Sequence, residues 1–269
     1  MAKFIGNLHL HKIHAINMSS TKVNEEEGFK FLEEGEGPVL LLLHGLFGTL
    51  SNFEGIINHF SGKYKVVVPL LPIFEMPIGD VSLEGLLKYV EDFVAYRGYK
   101  SAHVLGNSLG GHIALLFGLG NPDFTKTITL TGSSGLFENS MGSTFPKRGD
   151  YEFIKKKTGE TFFNPEVATK ELVDEVFDIV NDRNKAIRVV YTAKSAIRHN
   201  LSDTLHQLKA ATLLIWGQQD TITPPFVGEK FDELIPDSEL HFLNECGHAP
   251  MMEKTNEFNS ILSDFLDKH

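Results

Sequence analysis

One cysteine, Cys246, stands in a chain of 269 residues, so no intramolecular disulfide can form and nothing points to an oxidising compartment. Long apolar runs are missing too. None approaches the roughly 18 residues of a membrane span. The opening MAKFIGNLHLHKIHAI lacks the uninterrupted apolar stretch and small-residue cleavage site of an export signal. Basic charge is scarce: 25 Lys and Arg against 35 Asp and Glu leave a net charge of −10. That balance argues against nucleic acid or an anionic membrane as partner, since either needs a basic footprint. The one basic run, Lys155 to Lys157, lies among polar residues and reads as a solvated face. There is no internal repeat and no low-complexity tract. What remains is a composition of 42% hydrophobic and 22% charged residues, ordinary for a soluble globular protein of one large domain or one domain with an insertion. A cytoplasmic protein with a small-molecule partner is expected.

Residues 8–32 read as two or three antiparallel strands, with Phe29 and Phe31 alternating against polar neighbours. His9, His11 and His14 invite a metal-site reading, but period-two geometry puts His14 on the other face, and no Asp, Glu or Cys nearby completes a ligand set. A surface strand fits them better. From Val39 the pattern changes. VLLLLH is a continuous apolar run of the kind buried on both faces of a parallel sheet. A helical stretch (Ser51 to Phe60) and a second buried run (Lys65 to Leu70) follow. Ser82 then opens a helix with an apolar stripe at Leu83, Leu86, Leu87, Val90 and Val94, and Gly98 suits its C-terminal cap. Next come a strand before Ser108, a helix after it, and a strand from Thr127 to Thr131. Strands alternating with helices imply an α/β fold with a mostly parallel sheet.

That alternation breaks between about Gly135 and Leu205. A polar, glycine-rich start gives way to helical patterning, with Asn164-Pro165 as cap and first residue of a helix carrying Leu172, Val173, Val176, Phe177 and Val180. A second helix is expected from about Asn184 to His199. Some seventy residues are too many for a simple connection. The chain therefore divides into a core of residues 1–134 and 206–269 and a helical insertion at 135–205. Beyond it the alternation resumes with ATLLIWG (Ala211 to Gly217), a helix opened by Thr223-Pro224-Pro225, a strand from Glu239 to Leu243, and a last helix with Phe258, Ile261, Leu262, Phe265 and Leu266 on one face.

The stretch LGNSLGG, Leu105 to Gly111, organises the chemistry. Gly106-Asn107-Ser108-Leu109-Gly110 fits G-x-S-x-G, the turn that lifts a nucleophilic serine between a strand and a helix. A serine hydroxyl is a poor nucleophile until an imidazole takes its proton, and that imidazole needs a carboxylate to fix its tautomer. Loops at the carboxyl ends of three strands supply Ser108, Asp220 and His248, in the chain order this architecture uses. A tetrahedral intermediate needs two N–H donors. One is expected from Leu109, and the second from the His44-Gly45-Leu46-Phe47-Gly48 loop, with Leu46 preferred to Phe47. His44 ends a buried strand and reads as a loop-organising residue rather than the base. Cys246 and Trp216 read as packing residues.

Together HGLFGTLSNF, GNSLGG, WGQQDTITPP and CGHAPMMEKTNEF resemble the α/β-hydrolase fold superfamily across nearly the whole chain outside the insertion. The resemblance implies a mostly parallel eight-stranded sheet flanked by helices, a helical cap formed by the insertion, and no metal or organic cofactor. It makes Ser108 the nucleophile, His248 the base and Asp220 its orienting partner. A serine at 108 speaks against the haloalkane-dehalogenase and epoxide-hydrolase branches. One departure is VVPLLPIFEMPIGD where many relatives carry an Asp-x-x-Gly-x-Gly-type loop. There Phe74 or Met76 lines a pocket, or the loop is rigid with one buried anchor.

The leading expectation is a serine hydrolase cleaving a small carboxylic ester or related acyl compound, with Phe47, Leu136 and Phe137 shaping an apolar pocket under the cap. GNSLGG followed by a helical cap is also similar to the carbon–carbon bond hydrolases of vinylogous diketone ring-fission products, which hold a carboxylate with a cap arginine. Arg188 and Arg198 are the candidates for that role. A triad-bearing ligand sensor with little turnover is the alternative from outside the enzymes. A cofactor-free haloperoxidase-like perhydrolysis is expected only as a side activity.

Overall fold

The computed structural model describes residues 22–48, 50–137, 147 and 149–269. His9, His11 and His14 lie outside them. A short hairpin begins the described chain: β1 (Asn24–Glu26) and β2 (Phe29–Glu34) pair antiparallel around the Glu27-Gly28 turn. As the alternation predicts, Phe29 and Phe31 share a face, and both rings pack on Phe93.

The sheet has eight strands in the order β1-β2-β4-β3-β5-β6-β7-β8, antiparallel at β1, β2 and β4 and parallel from β4 onward. Its parallel strands are β3 (Val39–Leu43), β4 (Lys65–Pro69), β5 (Ala102–Asn107), β6 (Thr125–Thr131), β7 (Ala211–Gly217) and β8 (Ser238–Leu243). Side chains alternate between two cores. Leu41, Leu43, Val67, Val104, Leu214 and Trp216 face one core, while Leu40, Leu42, Val66, Val68, Leu213 and Ile215 face the other. Continuous apolar strands result because both faces are covered. On the first side lie α2 (Leu83–Tyr96), α3 (Leu109–Gly120) and α7 (Pro225–Leu234); on the second lie α1 (Glu54–Phe60) and α9 (Thr255–Leu266). The α2 boundaries are the expected ones. Ser82 Oγ accepts from Gly85 N at 3.1 Å, and Gly98 takes φ +66° just past the other end.

Strand order reverses at β3. The chain moves outward to β4, then crosses back to place β5 on the other side of β3. Such a reversal opens a crevice at the carboxyl ends of the strands, where sheets of this type bind ligands.

Between β6 and β7 stand α4 (Tyr151–Gly159), α5 (Lys170–Asn181) and α6 (Arg183–Arg198). Lys155, Lys156 and Lys157 sit exposed on α4. Asn164-Pro165 does open helical structure, but only the single 3₁₀ turn Pro165–Val167. The apolar stripe belongs to α5, which starts later because Thr169 supplies its own cap, its Oγ1 accepting from Leu172 N. A further helix, α8 (Pro250–Glu253), was not anticipated between His248 and α9; at four residues it is too short to show a period.

Candidate active site

Ser108 sits at the tip of the β5–α3 turn with φ +56° and ψ −118°, a conformation that costs a non-glycine residue on the order of 1–3 kcal/mol. The surrounding backbone holds it there. Ser108 N donates to Thr131 O at 3.1 Å, and its carbonyl accepts from Gly111 N and Ser134 N. Strand and helix close tightly behind it: a Cβ on Gly110 would stand 1.9 Å from Leu43 O, and one on Gly106 2.3 Å from Gly110 O. Glycine is required at both positions.

Asp220 follows β7, and its side chain is fully buried. Both oxygens are saturated. Oδ1 accepts from Ile222 N (2.8 Å) and Thr223 N (2.9 Å); Oδ2 accepts from Thr223 Oγ1 (2.9 Å) and faces His248 Nδ1 at 2.9 Å. A carboxylate can only accept, so Nδ1 carries the imidazole proton and Nε2 is left with its lone pair free to take one. His248 itself is 7% exposed. Thr223 is in turn anchored by Trp216, whose Nε1 donates to its carbonyl at 2.8 Å.

The turn after β6 brings serine and histidine together. Thr131 O receives the Ser108 amide, while a Cβ on the next residue, Gly132, would stand 2.8 Å from His248 Nδ1. Asn107 closes the same junction, donating from Nδ2 to Thr131 O (3.0 Å) and His248 O (3.2 Å). The Asp220–His248 bond is made; among the described hydrogen bonds none joins Ser108 Oγ to His248 Nε2. Such a bond commonly tightens only when a substrate is bound.

Leu109 and Leu46, the two expected amide donors, belong to the segments on either side of Ser108. Leu109 is the first residue of α3, where a helix leaves amides without intrahelical acceptors. Leu46 occupies the turn closed by Gly48 N donating to Gly45 O at 3.0 Å, and Gly45 lies against Ser108, 3.3 Å from its Cβ for an added methyl. His44 organises this loop and is not placed to act as the base. Its Nδ1 donates to Gly45 O (2.8 Å), its Nε2 accepts from Leu71 N (2.9 Å), and burial pushes its pKa below the usual histidine range. Leu71 and Ile73 bury that end of the proline-rich loop, with Phe74 and Met76 half-buried against the same core. Leu136 and Phe137 follow β6 half-buried, and the Phe137 ring meets Phe226 at 5.2 Å. Phe47 is half-buried in the Gly45–Gly48 turn.

Of the two arginines of α6 considered for a carboxylate, Arg188 is engaged elsewhere. Its Nε and Nη2 both donate to Met76 O at 3.1 Å, and Nη1 donates to Asn184 O at 3.0 Å. Arg198 is exposed in the last turn of α6. Cys246 is buried, which pushes its thiol pKa up and away from reactivity. Among the described residues, no group of three or more His, Cys, Asp or Glu is arranged to hold a metal ion, and no helix is long and apolar enough to cross a membrane. Asn107 and Thr223 were not singled out as site residues. Asn107 precedes Ser108 directly and Thr223 lies three residues after Asp220, but only the folded geometry shows what their side chains bridge.

A serine on a strand-to-helix elbow, a buried Asp–His pair and this sheet order define a hydrolase of the α/β class. The family defined by the α/β hydrolase fold matches residues 38–255, and the chain belongs to it. It is 40% identical to MGS-MChE2, an α/β hydrolase enzyme from the metagenome of lagoon sediments at Mar Chica, Morocco, with a TM-score of 0.77 over 92% of this chain and 98% of that one. It is also 28% identical to the 2-hydroxy-6-oxononadienedioate/2-hydroxy-6-oxononatrienedioate hydrolase of Comamonas testosteroni, over 87% of this chain and 89% of that protein. Identity is again 28%, with the same coverages, to the 2-hydroxy-6-oxo-6-phenylhexa-2,4-dienoate hydrolase of Burkholderia cepacia.

Proposed function

We propose that the protein is a serine hydrolase cleaving a small carboxylic ester or related acyl compound through Ser108, His248 and Asp220, with residues 135–205 as a cap over the site. The observation that carries this reading is the junction at Thr131-Gly132, where the strained Ser108 and the Asp220-bonded His248 meet with the imidazole tautomer already set for proton removal. Ser108 Oγ attacks the substrate carbonyl as its proton passes to His248 Nε2. The oxyanion is received by the amides of Leu46 and Leu109. The tetrahedral intermediate collapses with transfer of that proton to the leaving alkoxide oxygen. Water, deprotonated by the same Nε2, attacks the acyl-enzyme and regenerates Ser108. No step calls on a cofactor. Phe47, Leu136 and Phe137 supply the apolar wall of the acyl pocket.

Similarity to the two dienoate hydrolases favours a second reading, cleavage of a carbon–carbon bond in a vinylogous diketone bearing a carboxylate. Such a substrate needs a cation beside its carboxylate. Arg188 is turned onto the carbonyls of Met76 and Asn184, which weighs toward the ester. The deciding experiment compares turnover of p-nitrophenyl acetate and butyrate with that of 2-hydroxy-6-oxo-6-phenylhexa-2,4-dienoate. Wild type and Ser108→Ala are assayed together, and fluorophosphonate labelling is mapped by mass spectrometry. Ester turnover, labelling at Ser108 and a loss on the order of 10⁴-fold in the variant are expected. Faster cleavage of the dienoate would replace the ester by the carbon–carbon reading. Tight ligand retention without labelling or turnover would make the protein a sensor.

A further inference from the structure

We propose that Glu253 is a positioning residue for the catalytic base, clasping the loop that carries His248 to the segment where the chain leaves α4. This inference rests on the triad reading above for what the loop carries, and on independent geometry for the clasp itself. Glu253 ends α8, four residues whose only regular turn folds the chain back over Gly247-His248. Its two carboxylate oxygens divide their work. Oε1 accepts from Gly247 N at 2.8 Å, and Oε2 accepts from Phe163 N at 2.7 Å.

The two backbone segments it joins are already in contact. His248 N donates to Thr161 O at 2.9 Å, and a Cβ on Gly247 would stand 2.7 Å from Thr161 O and 2.8 Å from Phe163 N. Glycine allows the close approach, and the approach leaves amides on both segments facing inward. A carboxylate satisfies donors from both at once, since each of its oxygens can accept two. On the opposite side the loop is tied to the Asp220 turn: Cys246 N donates to Gln219 Oε1 (3.0 Å), and Gln219 N donates to Cys246 O (2.9 Å). The imidazole is therefore aimed by Asp220 through its ring and by Glu253 through its backbone. A ring held at only one of these points swings about it, and small displacements at a reacting centre cost disproportionate rate.

Glu253→Gln tests this. Glutamine keeps one accepting oxygen and turns an NH₂ toward the other amide, so half of the clasp opens while size and shape persist. The expected result is kcat lowered about 10- to 100-fold with KM within twofold, in protein that remains folded by circular dichroism. The downfield proton resonance of the His248 Nδ1–H···Asp220 bond, assigned with Asp220→Asn, is expected to broaden as the loop loosens. Glu253→Asp retains the charge but is one methylene too short to span both segments; it should show the same pattern, and it serves if the glutamine variant fails to fold. A wild-type resonance with unchanged kcat would overturn the proposal. So would a loss of activity that only matches a loss of folded protein, with the resonance intact in what remains. Because the resonance is read without substrate, wild-type protein that neither turns over nor labels at Ser108 would sink the serine-hydrolase reading and leave the Glu253 test standing.

Discussion

The sheet core and the helical insertion are held by different means. In the core, alternate side chains of each central strand enter one of two apolar layers, and Trp216, Leu41 and Ile215 are fully buried. The insertion is thinner. Ile187, Tyr191 and Ile197 of α6 are 43 to 48% exposed, so apolar burial alone does not position that helix. Polar links do much of the placing. Arg188 bonds Met76 O, Ser195 Oγ accepts from Leu83 N, and the His199 imidazole pairs with Glu84. His112, buried in α3, donates from Nε2 to His199 O at 2.9 Å and joins the end of α6 to the helix that follows Ser108. Hydrophobic burial is non-directional and tolerant, whereas a hydrogen bond has a geometry that one substitution removes.

Three substitutions sharpen that contrast. The largest effect belongs to the core. Trp216→Ala should cost about 3–5 kcal/mol of stability by leaving a cavity. It should also lower kcat by releasing Thr223 from beneath Asp220. Urea denaturation and ester turnover measured together check both, and a loss under 1 kcal/mol would mean the two-layer core is not what holds the sheet.

An intermediate effect is expected at the link between core and insertion. Burial pulls the His112 pKa down to about 4, below its ordinary value of 6.5. The unfolded chain therefore binds a proton here that the folded chain refuses between those values. Stability from this site is full above pH 6.5 and falls as the pH drops toward 4, by up to about 3 kcal/mol. Below the folded value both states are protonated and no further loss arises. His112→Gln should flatten the fall in urea midpoint between pH 7 and 4.5, leaving the part due to His103, which burial also pulls down to about 4, and to His44, which burial likewise lowers. Parallel pH profiles in wild type and variant would refute it.

The smallest effect concerns the insertion alone. Thr192 of α6 is fully buried, and its Oγ1 has no partner among the described residues. Thr192→Val removes that stranded hydroxyl at constant shape and should stabilise the protein by about 1 kcal/mol. A destabilised variant would show that the hydroxyl is bonded after all.

Much of the fold was legible because its signals are local. The six parallel strands, the Ser82 and Gly98 ends of α2, and the G-x-S-x-G turn each follow from residues within one element. His44 was separable from His248 by chain order, and its bonds to Gly45 and Leu71 agree. The start of α5 was misread because Asn164-Pro165 and Thr169 are both good caps five residues apart, and the pattern alone does not rank them. Arg188 offered a charge at a plausible place, but its partner is a backbone carbonyl 112 residues away. No spacing rule reaches that far.

By itself, then, the sequence determined the alternation of strand and helix, the two-sided burial of the sheet and the three loops that carry Ser108, Asp220 and His248. Periodicity and turn chemistry are properties of neighbours along the chain, and neighbours can be read. Tertiary structure alone decided that Asn107 and Gly132 draw serine and histidine to one junction, that Thr223 completes the Asp220 shell, and that Glu253 bridges two distant backbones. Those assignments depend on which hydrogen-bonding groups are left unpaired once the core has closed, and only the closed core selects their partners.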